Sequence, residues 1–255
     1  MSRLAVYAIA RAAPSGPLGV GVAGEPLRWI PCGSLGVVGG EAESWPQLDR
    51  RALERHDQTV RRLDALVDAL LPARFGEAFA GEPELIEAVA GRQAELAAAL
   101  ERVAGCVQMT LRLFGEPAAG GEPAAEGESN AAAERASSRM EDPAVADDAA
   151  GPGTRYLAAR RAARERSQSI PELADLRRAL RPLVRDERLR RHDVAPLLAS
   201  AHDLVGRDDI ARYREVCETH RPALAAKGRR LTLSGPWPPY AFAPGVAATP
   251  VAERR

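Results

Sequence analysis

Lysine is almost missing from this chain. Of 35 Lys and Arg residues, Lys227 is the one lysine. Beside so much alanine, this reads as a coding bias rather than a binding surface. Cysteine is scarce as well. Cys32, Cys106 and Cys217 are far apart and odd in number, which argues against a disulfide framework, and no pair has metal or redox spacing. They are expected to be buried free thiols, since free cysteine behaves as a small hydrophobe. Aromatic residues make up 4% of the chain, and no aromatic–basic platform accompanies the arginines, so nucleic acid is not an expected partner. No apolar run approaches the roughly 20 residues of a membrane-spanning helix, and no membrane insertion is expected. The start, "MSRLAVYAIARAAPSG", carries one arginine in front of a short apolar run. That run alternates like a strand and is too short for a leader. The expected location is the cytoplasm.

A net charge is also missing: 35 basic residues balance 35 acidic ones. The balance is uneven along the chain. Residues 1–115 hold 12 basic and 14 acidic residues, net −2; residues 116–153 hold 2 and 9, net −7; residues 154–255 hold 21 and 12, net +9. The middle block has no aromatic residue and almost no aliphatic ones. It buries too little apolar area to offset the entropy of ordering, so an acidic disordered linker is expected over 116–153. That divides the chain into 1–115, the linker, and 154–255.

In the first part, Leu4, Val6 and Ala8 alternate with Ala5, Tyr7 and Ile9, so both faces are apolar, as in a central strand. Short strands follow at about Arg28–Ile30 and Leu35–Val38. Leu48, Ala52, Leu53, His56, Val60, Leu63, Val67 and Leu70 recur at helical spacing, with Ser44 as a plausible cap and Pro72 as the stop. "ARFGEAF" reads as a short strand or ordered loop. "GEPELIEAVAGRQAELAAALERVAG" reads as a second amphipathic helix, with Pro83 in its first turn. "CVQMTLRLF" alternates as a half-buried strand. This order suits a ferredoxin-like α+β domain with an added strand. The second part reads as a helix "TRYLAARRAARERSQ", strands in "PLVRDERLRRHD" and "VAPLLASAHDLV", a helix over "RDDIARYREVCETHRPALAAKG", and a last strand "RRLTLSG". It is helix-rich α+β, an echo of the first part without a clear sequence repeat.

Several motifs carry chemistry elsewhere. "GVGVAG" (Gly19, Gly21, Gly24) spells a dinucleotide fingerprint, but Glu25-Pro26 and a strand follow where the fingerprint needs a helix N-terminus. His56-Asp57, His192-Asp193 and His202-Asp203 repeat a pair used at metal-dependent phosphohydrolase centres, yet nothing in the pattern makes them converge. No nucleophile elbow or phosphate loop is present. No catalytic residue, metal ligand or cofactor is assigned. "GPWPPYAF" admits two readings: a ligand for a proline-binding groove, or a cap folded onto its own domain, in which Trp237 and Phe242 are mostly buried.

Three stretches together resemble the gas vesicle protein F and L family: Pro72, Arg74, Phe75 and Gly76 in "LLPARFGEAF"; Tyr156 and Leu157 in "PGTRYLAARR"; and Gly235, Pro236, Trp237, Pro238, Pro239, Tyr240 and Phe242 in "LTLSGPWPPYAF". The resemblance spans nearly the whole chain. It implies a ferredoxin-like N-terminal domain before a helix-rich α+β domain. It also implies a non-enzymatic accessory or minor structural role in gas vesicle assembly. The implied partners are the small hydrophobic shell protein and other accessory proteins; self-association stays open. The other open readings are an enzyme of unknown type on a ferredoxin-like fold and a regulator docking through the proline segment. A long linker further suggests two halves that engage neighbouring subunits separately.

Overall fold

The computed structural model describes residues 2–44, 46–115, 170–192 and 194–245. The acidic stretch and the Tyr156–Leu157 segment lie outside these residues. The chain is α+β, and its described residues build two antiparallel sheets.

The first sheet holds β1 (Arg3–Ala10), β2 (Arg28–Cys32), β3 (Leu35–Ala42), β4 (Leu70–Pro72) and β5 (Ala78–Phe79). Its order is β2-β3-β1-β4, and β5 pairs with the same edge of β1 as β4. As its two apolar faces predict, β1 is central, and Leu4 to Ala10 are all buried. Helix α1 (Arg50–Asp64) covers one face with Ala52, His56, Thr59, Val60 and Leu63. Helices α2 (Glu82–Ala90) and α3 (Gln93–Val103) cover the other with Leu85, Val89, Leu96, Leu100 and Val103.

The second sheet holds β6 (Cys106–Gly115), β7 (Val184–Arg191), β8 (Leu197–Gly206) and β9 (Arg229–Trp237), in the order β7-β8-β6-β9. Helices α4 (Ala174–Leu180) and α5 (Ile210–Ala225) pack on one face, where Leu176, Leu180, Tyr213, Cys217 and Leu224 meet Met109, Leu111, Ala201 and Val205.

The two sheets repeat one topology. In each set of four successive strands the first and third are central and the second and fourth are edges, with all neighbours antiparallel. This is the split β-α-β arrangement. In the first sheet, however, residues 11–27 cross over without a helix. The echo between halves is therefore real in topology, although no sequence repeat announces it.

The structure differs from the sequence reading at four places. Helix α1 is capped by Asp49, whose Oδ1 accepts from Ala52 N at 2.7 Å, rather than by Ser44. It ends at Asp64, because Leu70–Pro72 pair with β1. The long second helix breaks into α2 and α3 at Gly91–Arg92. Strand β6 belongs to the second sheet, bonded to β8 on one side and β9 on the other. The division between sheets therefore precedes β6 instead of following residue 115.

The halves are packed together. Gly105 N donates to Asp68 O and Arg207 N to Gly105 O, each at 3.0 Å. Arg207 pairs with Asp64 at 2.9 Å. Cys106, Leu204 and Phe242 share one core with the first sheet.

Candidate functional site

The "LPARFG" stretch interrupts an edge strand. β4 and β5 both lie along β1, and between them the chain leaves the ladder for a tight turn closed by Glu77 N donating to Arg74 O at 3.1 Å. The buried Glu77 carboxylate accepts from Arg74 N at 3.1 Å, which pins the turn from inside. Pro72 ends β4, where an edge position tolerates its missing donor. Phe75 is turned onto the α1 side and meets His56 edge-on at 5.7 Å. His56 stacks on Tyr7 and donates from Nε2 to the Ala73 carbonyl at 3.0 Å. Burial pushes the His56 pKa below its ordinary value. Gly76 completes the turn with a positive φ.

The closing segment lies across both sheets. β9 runs through Gly235 and Pro236 to Trp237, and a short 3-10 turn, Tyr240–Phe242, follows along β4. Gly235 has φ +122°, and a Cβ there would lie 2.8 Å from Gln108 O and 3.1 Å from the Met109 sulfur. No other residue fits without strain. Pro238 and Pro239 are buried, and Pro236 is exposed. Phe242 is 3% exposed, in the core of the first sheet. Tyr240 packs on the α1 side. Ala241 N donates to Gln108 Oε1, on β6, at 2.7 Å.

Trp237 is partly buried and Phe242 fully buried, so neither ring is exposed, as a cap folded onto its own domain requires. The register of Trp237 opposite Gln108 puts it at the seam. Arg61 of α1 lies over its ring at 4.1 Å, and its Nε1 donates to Ser234 Oγ at 3.3 Å. The two signature segments thus meet at one place, the β4 edge of the first sheet.

Beside this seam lies a polar patch on β6 and β8. Gln108 Nε2 and Thr110 Oγ1 lie 3.3 and 3.1 Å from His202 Nδ1. His192 Nε2 lies 3.0 Å from Ser200 Oγ. His56 is elsewhere, on the α1 side of the first sheet, so the three His-Asp pairs do not converge. Among the described residues no group of three or more His, Cys, Asp or Glu is placed to hold a metal ion. In the glycine-rich loop the Tyr7 hydroxyl and Glu25 carboxylate occupy the space where a Gly21 Cβ would be. Tyr7 donates to Glu25 and accepts from Val22 N at 2.7 Å. All three cysteines are free and buried.

Asp203 does not stand out as a motif residue, because the sequence presents it as half of a His-Asp pair. It is 2% exposed and accepts from Tyr213 Oη at 2.6 Å. A signal was present: Ala199, Ala201, Asp203 and Val205 alternate onto the apolar face of β8, so a carboxylate falls where a hydrophobe belongs.

The sequence profile of the family described as gas vesicle synthesis protein GvpL/GvpF matches residues 4–244. Gas vesicle protein L2 of Halobacterium salinarum is 26% identical over an alignment covering 91% of this chain and 88% of that protein. The crystal structure of GvpF from Anabaena sp. PCC7120 superposes with a TM-score of 0.67 at 15% identity, covering 96% of this chain and 97% of that one. GvpF from Microcystis aeruginosa gives 0.65 at 15% identity, covering 95% and 99%. The two structures agree with this fold. The profile match decides membership: the chain belongs to the GvpL/GvpF family of gas vesicle synthesis proteins.

Proposed function

We propose that this chain is a non-catalytic accessory protein of gas vesicle assembly, cytoplasmic and vesicle-associated. In this reading it binds the small hydrophobic shell protein and other accessory proteins. The observation that carries the reading is the family match over 4–244. A second observation supports it: the signature residues Phe75, Gly235 and Phe242 are spent on packing. Such residues preserve a shape, as an adaptor requires.

The physical task is to cover apolar surface and strand edges on unassembled shell subunits. This chain offers the sheet edges β2, β7 and β9 for strand addition. In this reading the two sheets engage a partner as one body and not as two separately reaching halves. Gln108–Ala241, Arg207–Asp64 and Gly105–Asp68 hold the sheets against each other, and β6 would lose both its partners if residues 154–255 were removed. Binding is therefore tested on the full chain. Co-expressed with the small shell protein, it should be retained on an affinity column carrying that protein. Passage through the column without retention would overturn the reading.

A further inference from the structure

The register of the second sheet sorts its side chains. Leu111, Ala201 and Leu233 point to α4 and α5. Their neighbours along each strand point the other way, as strand alternation requires, onto a face that α4 and α5 leave uncovered. Pairing sets two cross-strand rows there: Arg188–His202–Thr110–Ser234 and Arg190–Ser200–Arg112–Thr232. Phe114 and Arg230 start a third. These rows hold four arginines and no acidic residue. Asp186 lies one row further in, opposite Leu204, and is 3.9 Å from both Arg188 and Arg102. Arg188 also lies over the Phe242 ring at 5.8 Å, so the inner margin of the face belongs to the seam.

Arg112, Arg190 and Arg230 remain. All three are exposed, and none makes an ion pair with a described residue. Arg230 is held at the face by the Phe114 ring, 4.4 Å below its guanidinium. Arg112 and Arg190 both stand opposite Ser200. The Ser200 hydroxyl is buried beneath them, 3.0 Å from His192 Nε2. Thr110 is buried too, with Oγ1 3.1 Å from His202 Nδ1. Hydroxyls and imidazoles thus floor the patch, and arginines stand over them. The positive field reaches His202: burial lowers its pKa, and Arg112 and His192 lower it further. An anion seated among these arginines is attracted by several of them at once.

We propose that this face is the docking surface for the acidic stretch 116–153 of the same chain. Two observations select this occupant. The stretch carries nine acidic and two basic residues, the charge that the face lacks. It also starts one residue past Gly115, the end of β6, next to Phe114 and Arg230. The arginine rows span roughly 13 Å of strand, the reach of about four extended residues. Single exposed pairs are weak, but a tether makes each of them intramolecular. An acidic partner protein would have to displace a counter-charge attached to the edge of the face itself. This contact is independent of the adaptor reading: it neutralises the arginine face within the chain.

The test is trypsin cleavage of the full chain after Arg135 and Arg139, the two basic residues of the stretch, followed by mass spectrometry. A synthetic peptide of residues 116–153 controls for the protease's own response to salt. Relative to that peptide, cleavage in the chain should be slowed about tenfold at about 0.05 M NaCl, and the protection should vanish at about 1 M, where screening shortens to about 3 Å. Arg112→Glu combined with Arg190→Glu should remove the protection at low salt. A second variant leaves the face untouched and replaces the nine acids of the stretch by Asn or Gln. In calorimetric titration it should bind the added wild-type peptide at least about tenfold more tightly than the wild-type chain does, because there the face is already occupied. Protection that ignores salt, or cleavage of the wild-type chain at the peptide's rate, would overturn the proposal. Equal binding of the peptide by both chains would overturn it too, and would leave the face to an acidic partner protein.

Discussion

The amide of Ala241 donates to the side-chain oxygen of Gln108 at 2.7 Å. One residue is on the central strand of the second sheet, and the other follows Tyr240 over the edge of the first. Gln108 is 6% exposed, so an unmatched amide at 241 would be left away from water. Gln108→Leu should therefore destabilise the chain by about 1–3 kcal/mol. Urea unfolding monitored by circular dichroism measures it. An unchanged midpoint would remove this bond from the account of how the sheets are joined.

The two rings of the closing segment should separate cleanly. Phe242 is buried in the first sheet's core, and Phe242→Ala should cost about 3–5 kcal/mol. Trp237 is half-buried under Arg61, and Trp237→Ala should cost less, about 1–3 kcal/mol. The same unfolding experiment ranks them. A reversed order would mean that the ring packing described here is wrong.

Gly235 is constrained twice, by positive φ and by the nearness of Gln108 O. Gly235→Ala should destabilise by about 1–3 kcal/mol. Gly24, with positive φ but open space around it, should tolerate alanine better. Melting temperatures of the two variants decide the comparison.

The pH dependence has two opposing parts. Burial lowers the His56 pKa from 6.5, so unfolded chain takes up a proton that folded chain refuses. This part of the stability falls as pH drops below about 6.5. Asp203 is the reverse case: its carboxyl is raised from 3.8 to about 7, so its folded form holds the proton more tightly. Its contribution is complete below about 3.8 and is lost as pH rises through about 7. His56→Gln should flatten the acid side of the stability profile, and Asp203→Asn the stretch between about 4 and 7. Denaturation midpoints across this range, taken for wild type and both variants, check each sign.

Much of this architecture is legible in the residues. The two apolar faces of residues 4–10 announce a central strand, and the polar stretch 184–191 reads as a strand, which the structure places at a sheet edge. The closing signature points to the family and to a folded-back cap. What is not legible depends on partners distant in sequence. Leu70 continues the helical spacing of Val60, Leu63 and Val67, and pairing with β1 converts it to strand. The alternation of β6 is the same whichever sheet receives it. Trp237 looks like an anchor because tryptophan usually is one; its register beside Gln108 leaves it at the seam. Asp203 was readable by face but hidden by its His neighbour.

The most direct test of the adaptor claim is the amount of small shell protein that stays in solution when produced with and without this chain. The account predicts a clear rise in soluble shell protein with the full chain, and a smaller rise with Phe242→Ala, whose closing segment is loosened. An equal soluble fraction with and without the chain would contradict it.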